Sequence, residues 1–448
     1  MAADIFRITL AQLNPTVGDI AGNVAKAREA RARAAADGAD LVVLPELFIA
    51  GGLTRDAMPS VRADSRAAIE TLARETADGG PAVLIGTPWD ESGKLSNAVA
   101  LLDGGRIAAT RFKTNLPGDQ QRLFTRGPAA GPVSVRGMRI GVAIGEDIWP
   151  EQPADENVVE TLAETGAELI VVAAAARYIR GEGDRRLSAA VARVTESDLP
   201  LLWLNQTGGH DGEVFDGASF ALNADLSIAA QLPGFVEDVT TLTWHRGDDG
   251  WQCSGPVAKP TEGDEADYAA HMLRLRDRVG KAGLNGAVFG LAAGIEPALS
   301  LGLAVDALGA DKVRAVLLSG PDTRLPDEAM ASAARLGVPA EIVPIAAAIE
   351  GVEKILPGPL PDDAHRDLLA RVRSTLLTAL ANHAGALAVD ASGEIAGRGG
   401  IVAALGGITP AQMVRLAALR NRWTPAGAFG RSGEVISPDL IARAGMEG

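Results

Sequence analysis

At 448 residues the chain exceeds one ordinary hydrophobic core, so two domains are expected. A net charge of −15 argues against a nucleic-acid partner, which needs basic surface, and no apolar run approaches the roughly 18 residues of a membrane span. The single cysteine, Cys253, excludes an internal disulfide framework, and with five scattered histidines it offers no zinc-ligand spacing, so no metal site is expected.

The N-terminus runs straight into a strand pattern without the basic and apolar regions of a signal peptide, and with the lone cysteine this predicts a cytoplasmic protein. Ile5 to Gln12 is the first predicted strand, Asn23 to Ala36 an alanine-rich helix, and Leu41 to Leu44 a buried strand. Helix Ser65 to Thr76 and strand Ala82 to Thr87 follow. Asn97 to Leu102 and Arg106 to Phe112 form a hairpin across Asp103-Gly104-Gly105. Strand Arg139 to Ile144 comes next, then helix Glu156 to Thr165, strand Leu169 to Ala173 and helix Arg185 to Ser197. Strands Leu201 to Leu204, Ser219 to Asn223, Ser227 to Gln231 and Val239 to Trp244 close this part. Many strands with helices between them predict an α/β layered sandwich over residues 1–245.

Residues 246–266 are rich in Gly, Asp, Glu and Pro and are expected to be a linker. A second α/β unit is predicted over 267–448. It opens with helix Asp267 to Lys281, then strand Ala287 to Leu291, helix Pro297 to Leu308 and strand Val313 to Leu318. Helix Pro326 to Leu336, strand Ala340 to Val343 and helix Asp363 to Ala384 follow. The pattern dissolves from Asp390 to Thr409, and helix Pro410 to Asn421 is the last ordered element expected.

Three strand ends of the first domain carry candidate chemistry. Glu46 follows a buried strand, Lys113 follows strand 106–112, and Gly145 stands where strand 139–144 breaks into an acidic, helix-starting turn. A sharp strand-to-helix break is where α/β enzymes often place a nucleophile. A carboxylate, an amine and such an elbow suit amide hydrolysis by a thiol, but glycine has no side chain. Alone, Glu46 also reads as a capping or structural carboxylate, and Lys113 as a solvated surface lysine, the more common case.

Four segments surround these candidates: Leu41-Val42-Val43-Leu44-Pro45-Glu46; Arg111-Phe112-Lys113; Gly141 through Gly145-Glu146-Asp147-Ile148-Trp149; and Asn205 through Ser219. Together they resemble the nitrilase-type glutaminase domain of glutamine-dependent NAD⁺ synthetases. That resemblance implies a base at Glu46, an oxyanion partner at Lys113 and the nucleophilic cysteine's position at Gly145. Losing the nucleophile of a cooperating set typically costs on the order of a millionfold in turnover. Cys253, in the expected linker, is no obvious substitute. The family's longer lid is reduced to Leu116-Pro117 followed by Gly118 to Arg122, and its Asn-Ala-Ser is Ala174-Ala175-Ala176 here.

In the second domain Val288 to Ala298 resembles the family's pyrophosphate loop, Ser-Gly-Gly-Xaa-Asp-Ser. Here Ala292, Ala293, Glu296 and Pro297 replace the first serine, first glycine, aspartate and last serine, and only Gly294 is kept. The nucleotide loop that would follow Leu377 to Leu387 reads Asp390 to Ile395, then the Gly- and Ala-rich Gly397 to Gly407. The resemblance covers roughly residues 5 to 425. It implies a nitrilase-like α/β-β/α sandwich joined to a Rossmann-like PP-loop domain of the adenine nucleotide alpha hydrolase type. The family's ligands are ATP, Mg²⁺ and deamido-NAD, but none is expected bound with these motifs degraded. The expectation is a catalytically inactive relative acting as scaffold, regulator or assembly subunit; an active enzyme of altered chemistry is the alternative. The resemblance also implies a homo-oligomer or a mixed oligomer with an active relative.

Overall fold

The computed structural model describes residues 4–52, 58–91, 93–149, 155–210, 212–248, 250–319, 327–358, 360–390 and 402–447. They form two compact units that divide between Glu262 and Gly263. The first unit runs β1 (Ile5–Gln12), α1 (Ile20–Ala36), β2 (Leu41–Val43), α2 (Met58–Glu75), β3 (Ala82–Glu91), β4 (Lys94–Asp103), β5 (Arg106–Phe112), β6 (Val133–Val135), β7 (Met138–Ile144), α3 (Val158–Glu164) and β8 (Leu169–Ala174). It continues through α4 (Glu182–Ser197), β9 (Leu201–Asn205), β10 (Thr207–His210), β11 (Glu213–Asp216), β12 (Phe220–Leu222), β13 (Ile228–Gln231), β14 (Asp238–Gly247) and β15 (Gly250–Cys253).

Two sheets face each other, one ordered β15-β14-β1-β2-β3-β4-β5 and the other β13-β12-β9-β8-β7-β6. Strand alternation explains the layering, because successive side chains point to opposite faces. Leu169, Val171 and Ala173 of β8 join Phe6, Ile8 and Leu10 of β1 in the core between the sheets. Ile170, Val172 and Ala174 of the same strand face outward into a second core under α3 and α4. Helices α1 and α2 cover the opposite outer face, where Val24, Ala27, Ala30 and Ala34 let α1 approach closely. The result is the α-β-β-α sandwich. Each Val, Leu or Ile taken fully from water contributes roughly 1.5–3 kcal/mol, so these alternations hold the layers together.

The stretch expected as a linker is largely part of this first unit. β15 extends the sheet by pairing with β14, and Trp251 and Cys253 alternate inward while Gln252 stays exposed. The Gly-rich composition hid a four-residue edge strand too short to show a period. A second hairpin, β10 with β11, also escaped the sequence reading.

The second unit runs α5 (Gly263–Lys281), β16 (Ala287–Gly290), α6 (Ile295–Leu308), β17 (Val313–Ser319), α7 (Asp327–Leu336), β18 (Ala340–Pro344), α8 (Ala346–Glu353), α9 (Asp362–Ala384), β19 (Leu387–Asp390), β20 (Val402–Ala403), α10 (Pro410–Arg422) and α11 (Pro438–Glu447). Its parallel sheet has the order β18-β17-β16-β19-β20. Helices α5, α6, α10 and α11 pack on one face, α8 and α9 on the other. This is the doubly wound Rossmann-like arrangement, whose strand order reverses between β16 and β19.

Order does not end at Asn421. Its side chain donates to Ile436 O and accepts from the N–H groups of Val435 and Ile436, which fixes the chain leading into α11. Residues 391–401, which include most of the degraded nucleotide loop, lie outside the described residues. Among the described residues no helix is long and apolar enough to cross a membrane.

Candidate active site

Glu46, Lys113 and Gly145, spread over a hundred residues of sequence, meet at one end of the facing sheets of the first unit. β2 ends at Val43, and Leu44 N–H continues onto Leu84 O, carrying the chain into a turn that presents Glu46 inward. That turn needs Gly86 beneath it: a Cβ there would lie 2.2 Å from Pro45 O. β5 ends at Phe112 and hands on to Lys113, whose N–H bonds to Asn97 O. β7 ends at Ile144, and Gly145 to Ile148 form a 3-10 turn.

Glu46 Oε1 lies 2.7 Å from Lys113 Nζ, with both side chains buried. Asn97 Nδ2 donates to the same oxygen at 2.7 Å, and Ala175 N–H donates to Oε2 at 3.2 Å. Lys113 also donates to Glu146 Oε2. Burial pulls the Lys113 pKa down, but Glu46 and Glu146 outweigh it and raise the pKa, so the ammonium stays charged. Gly145 has φ +50°, a left-handed conformation suited to a sharp elbow. A Cβ on it would start 2.6 Å from Glu46 Oε2 and 2.8 Å from Lys113 Nζ. A side chain at 145 therefore points straight into the carboxylate–ammonium pair.

Asp147 fixes the elbow. Its carboxylate accepts from the N–H groups of Thr114, Asn115 and Ile144, tying the segment after Lys113 to the end of β7. Burial, opposed by those bonds and by Lys113, pushes its pKa up to about 7. The short segment after Lys113 folds down, with Leu116 packed against Leu47, Leu95 and Phe124. Beside it lies an open cleft of about 320 Å³ lined by Leu116, Pro117, Glu146, Trp149, Ala175 and Arg177, among others. Ala175 and Ala176 line it, whereas Ala174 is buried in the core under α3 and α4. Asn205 holds the segment by accepting from Ala176 N–H and donating to Ala176 O.

Cys253 is remote from this site. It is buried in the core between the sheets, and burial pushes its thiol up to about 12, which leaves it protonated and unreactive. Asn97, Asp147 and Glu146 join the site in addition to the three residues expected from sequence. A buried polar residue such as Asn97 within an apolar strand was the available signal; the Lys113–Glu146 contact had none.

In the second unit the loop 291–294 joins β16 to α6 at the point where strand order reverses. Ala292 and Ala293 are exposed and carry no hydroxyl. Gly294, at φ +119°, caps α6, and its N–H donates to Glu328 Oε1 at 3.3 Å. Pro297 stands in the first turn of α6 without an N–H to give. Burial and then Asp390, at the end of neighbouring β19, raise the Glu296 pKa. Backbone donors at the helix start are thus reduced, and the side chains brought near them are acidic. Among the described residues no group of three or more His, Cys, Asp or Glu is placed to hold a metal ion.

Fold and site together define a nitrilase-type carbon–nitrogen hydrolase unit followed by an NAD synthase unit. Residues 7–248 match the carbon–nitrogen hydrolase family and residues 268–408 the NAD synthase family. The chain is 41% identical over 398 residues to the glutamine-dependent NAD(+) synthetase of Rhodobacter capsulatus, covering 86% of this chain and 71% of that one. It is 33% identical over 410 residues to the enzyme of the same name from Xanthomonas campestris, covering 86% and 72%. The solved glutamine-dependent NAD+ synthetase of Acinetobacter baumannii, in complex with ADP, superposes with a TM-score of 0.86 at 27% identity, covering 98% of this chain and 85% of that one. The chain belongs to the glutamine-dependent NAD⁺ synthetase family.

Proposed function

We propose that this protein is a catalytically silent member of its family at both the glutaminase and the synthetase centre, serving as a scaffold, regulatory or assembly subunit. The observation that carries this reading is at Gly145. Its missing Cβ faces Glu46 and Lys113, so the position that would attack an amide carbon has no atom to attack with. The Glu46 carboxylate is already engaged by Lys113, Asn97 and Ala175 N–H, and Cys253, buried in the core between the sheets, supplies no thiolate.

The second unit supports the same reading independently. The residues present do not fit a polyphosphate: Gly294 N–H is engaged by a carboxylate, Pro297 has no donor, and Glu296 and Asp390 add negative charge. Degraded motifs at both chemical centres, beside well-packed cores among the described residues, suggest a framework kept for its surfaces, since most core changes destabilise. Partners of that kind are a second copy of this chain or an active relative.

The test supplies purified protein with ATP, Mg²⁺ and deamido-NAD, and either glutamine or ammonia. No NAD⁺ above the protein-free blank is expected from either donor; clear formation from either would sink the reading. Mass photometry of the chain alone and mixed with an active relative tests assembly. The second reading, an enzyme of altered chemistry, is favoured by one observation, the intact Glu46–Lys113 pair beside an open cleft. Ammonia release from a panel of amides would support it.

A further inference from the structure

We draw no further inference here: the strongest candidate, the open cavity of about 550 Å³ lined by the N-terminal ends of β16, β17 and β18, has its charged residues Arg314 and Glu341 already paired with one another, and nothing in the structure shows what would fill it.

Discussion

Glu46 and Lys113 form a buried ion pair at 2.7 Å, and both charged ends lie within 2.8 Å of the point where a side chain on Gly145 would begin. The pair fills the space that a nucleophile would share with it. Removing one partner leaves the other charge buried and uncompensated. Lys113→Met is therefore expected to destabilise the first unit by about 3–5 kcal/mol in urea unfolding, and Glu46→Gln combined with it to recover part of that loss. A Lys113→Met variant as stable as the parent would contradict the burial of this pair.

Gly145→Cys should not restore glutamine-dependent NAD⁺ formation. The new Cβ must displace Glu46 Oε2 and Lys113 Nζ, and the residue must adopt φ near +50°. Together these cost about 1–3 kcal/mol, and the second unit's loop is unchanged by the substitution. The check is NAD⁺ by chromatography beside the variant's unfolding curve. Glutamine-dependent synthesis by this single variant would show the second site to be competent.

Acid should loosen the second unit through His271. Burial, with Arg274 beside it, pushes this imidazole down to about 4 from its ordinary 6.5. Between those values the unfolded chain holds a proton that the folded chain does not. Stability is therefore full above pH 6.5 and falls as pH drops toward 4, by up to ~3 kcal/mol from this group. Carboxylates titrate over the same range, so the diagnostic is the difference. His271→Gln should show a shallower loss than the parent in denaturant unfolding between pH 7.5 and 4.5; identical slopes would remove His271 as a cause.

Arg420 and Asp306 carry the interior of the second unit. Both Arg420 Nε and Nη2 donate to the Asp306 carboxylate, Tyr268 O–H donates to the same group at 2.6 Å, and Arg420 reaches Arg431 O. Arg420→Met should cost about 3–5 kcal/mol by stranding Asp306. Tyr268→Phe, which removes one bond and keeps the ring, should cost about 1–3 kcal/mol. Thermal unfolding followed by circular dichroism ranks the two, and a reversed order would contradict the ion pair's dominance.

Much of the fold was legible because period and punctuation report local structure. The alternation in β7 and β8 and the Asp103-Gly104-Gly105 turn each state a conformation that neighbouring residues decide. What failed was short or irregular: β15 has four residues, β10 and β11 are a brief hairpin of glycines and polar groups, and α11 follows a stretch whose order depends on Asn421. Such segments bury too little along their own length to show a pattern and are held by partners distant in sequence.

The site divides in the same way. By itself the sequence determined which atoms are available: glycine at 145 can form no thioester, Pro297 can give no N–H, and alanines at 292 and 293 have no side-chain hydroxyl to offer a phosphate. Those are properties of covalent structure and hold in any fold. Only the tertiary structure decided where the surviving groups point. It turned the missing side chain of Gly145 onto Glu46 and Lys113, placed Glu146 on the cleft end of that lysine, and set Glu328 against Gly294 N–H. Burial then fixed their charges, keeping Lys113 an ammonium and Cys253 a neutral thiol. Direction and desolvation arise from packing between segments far apart in the chain, and no local pattern records them.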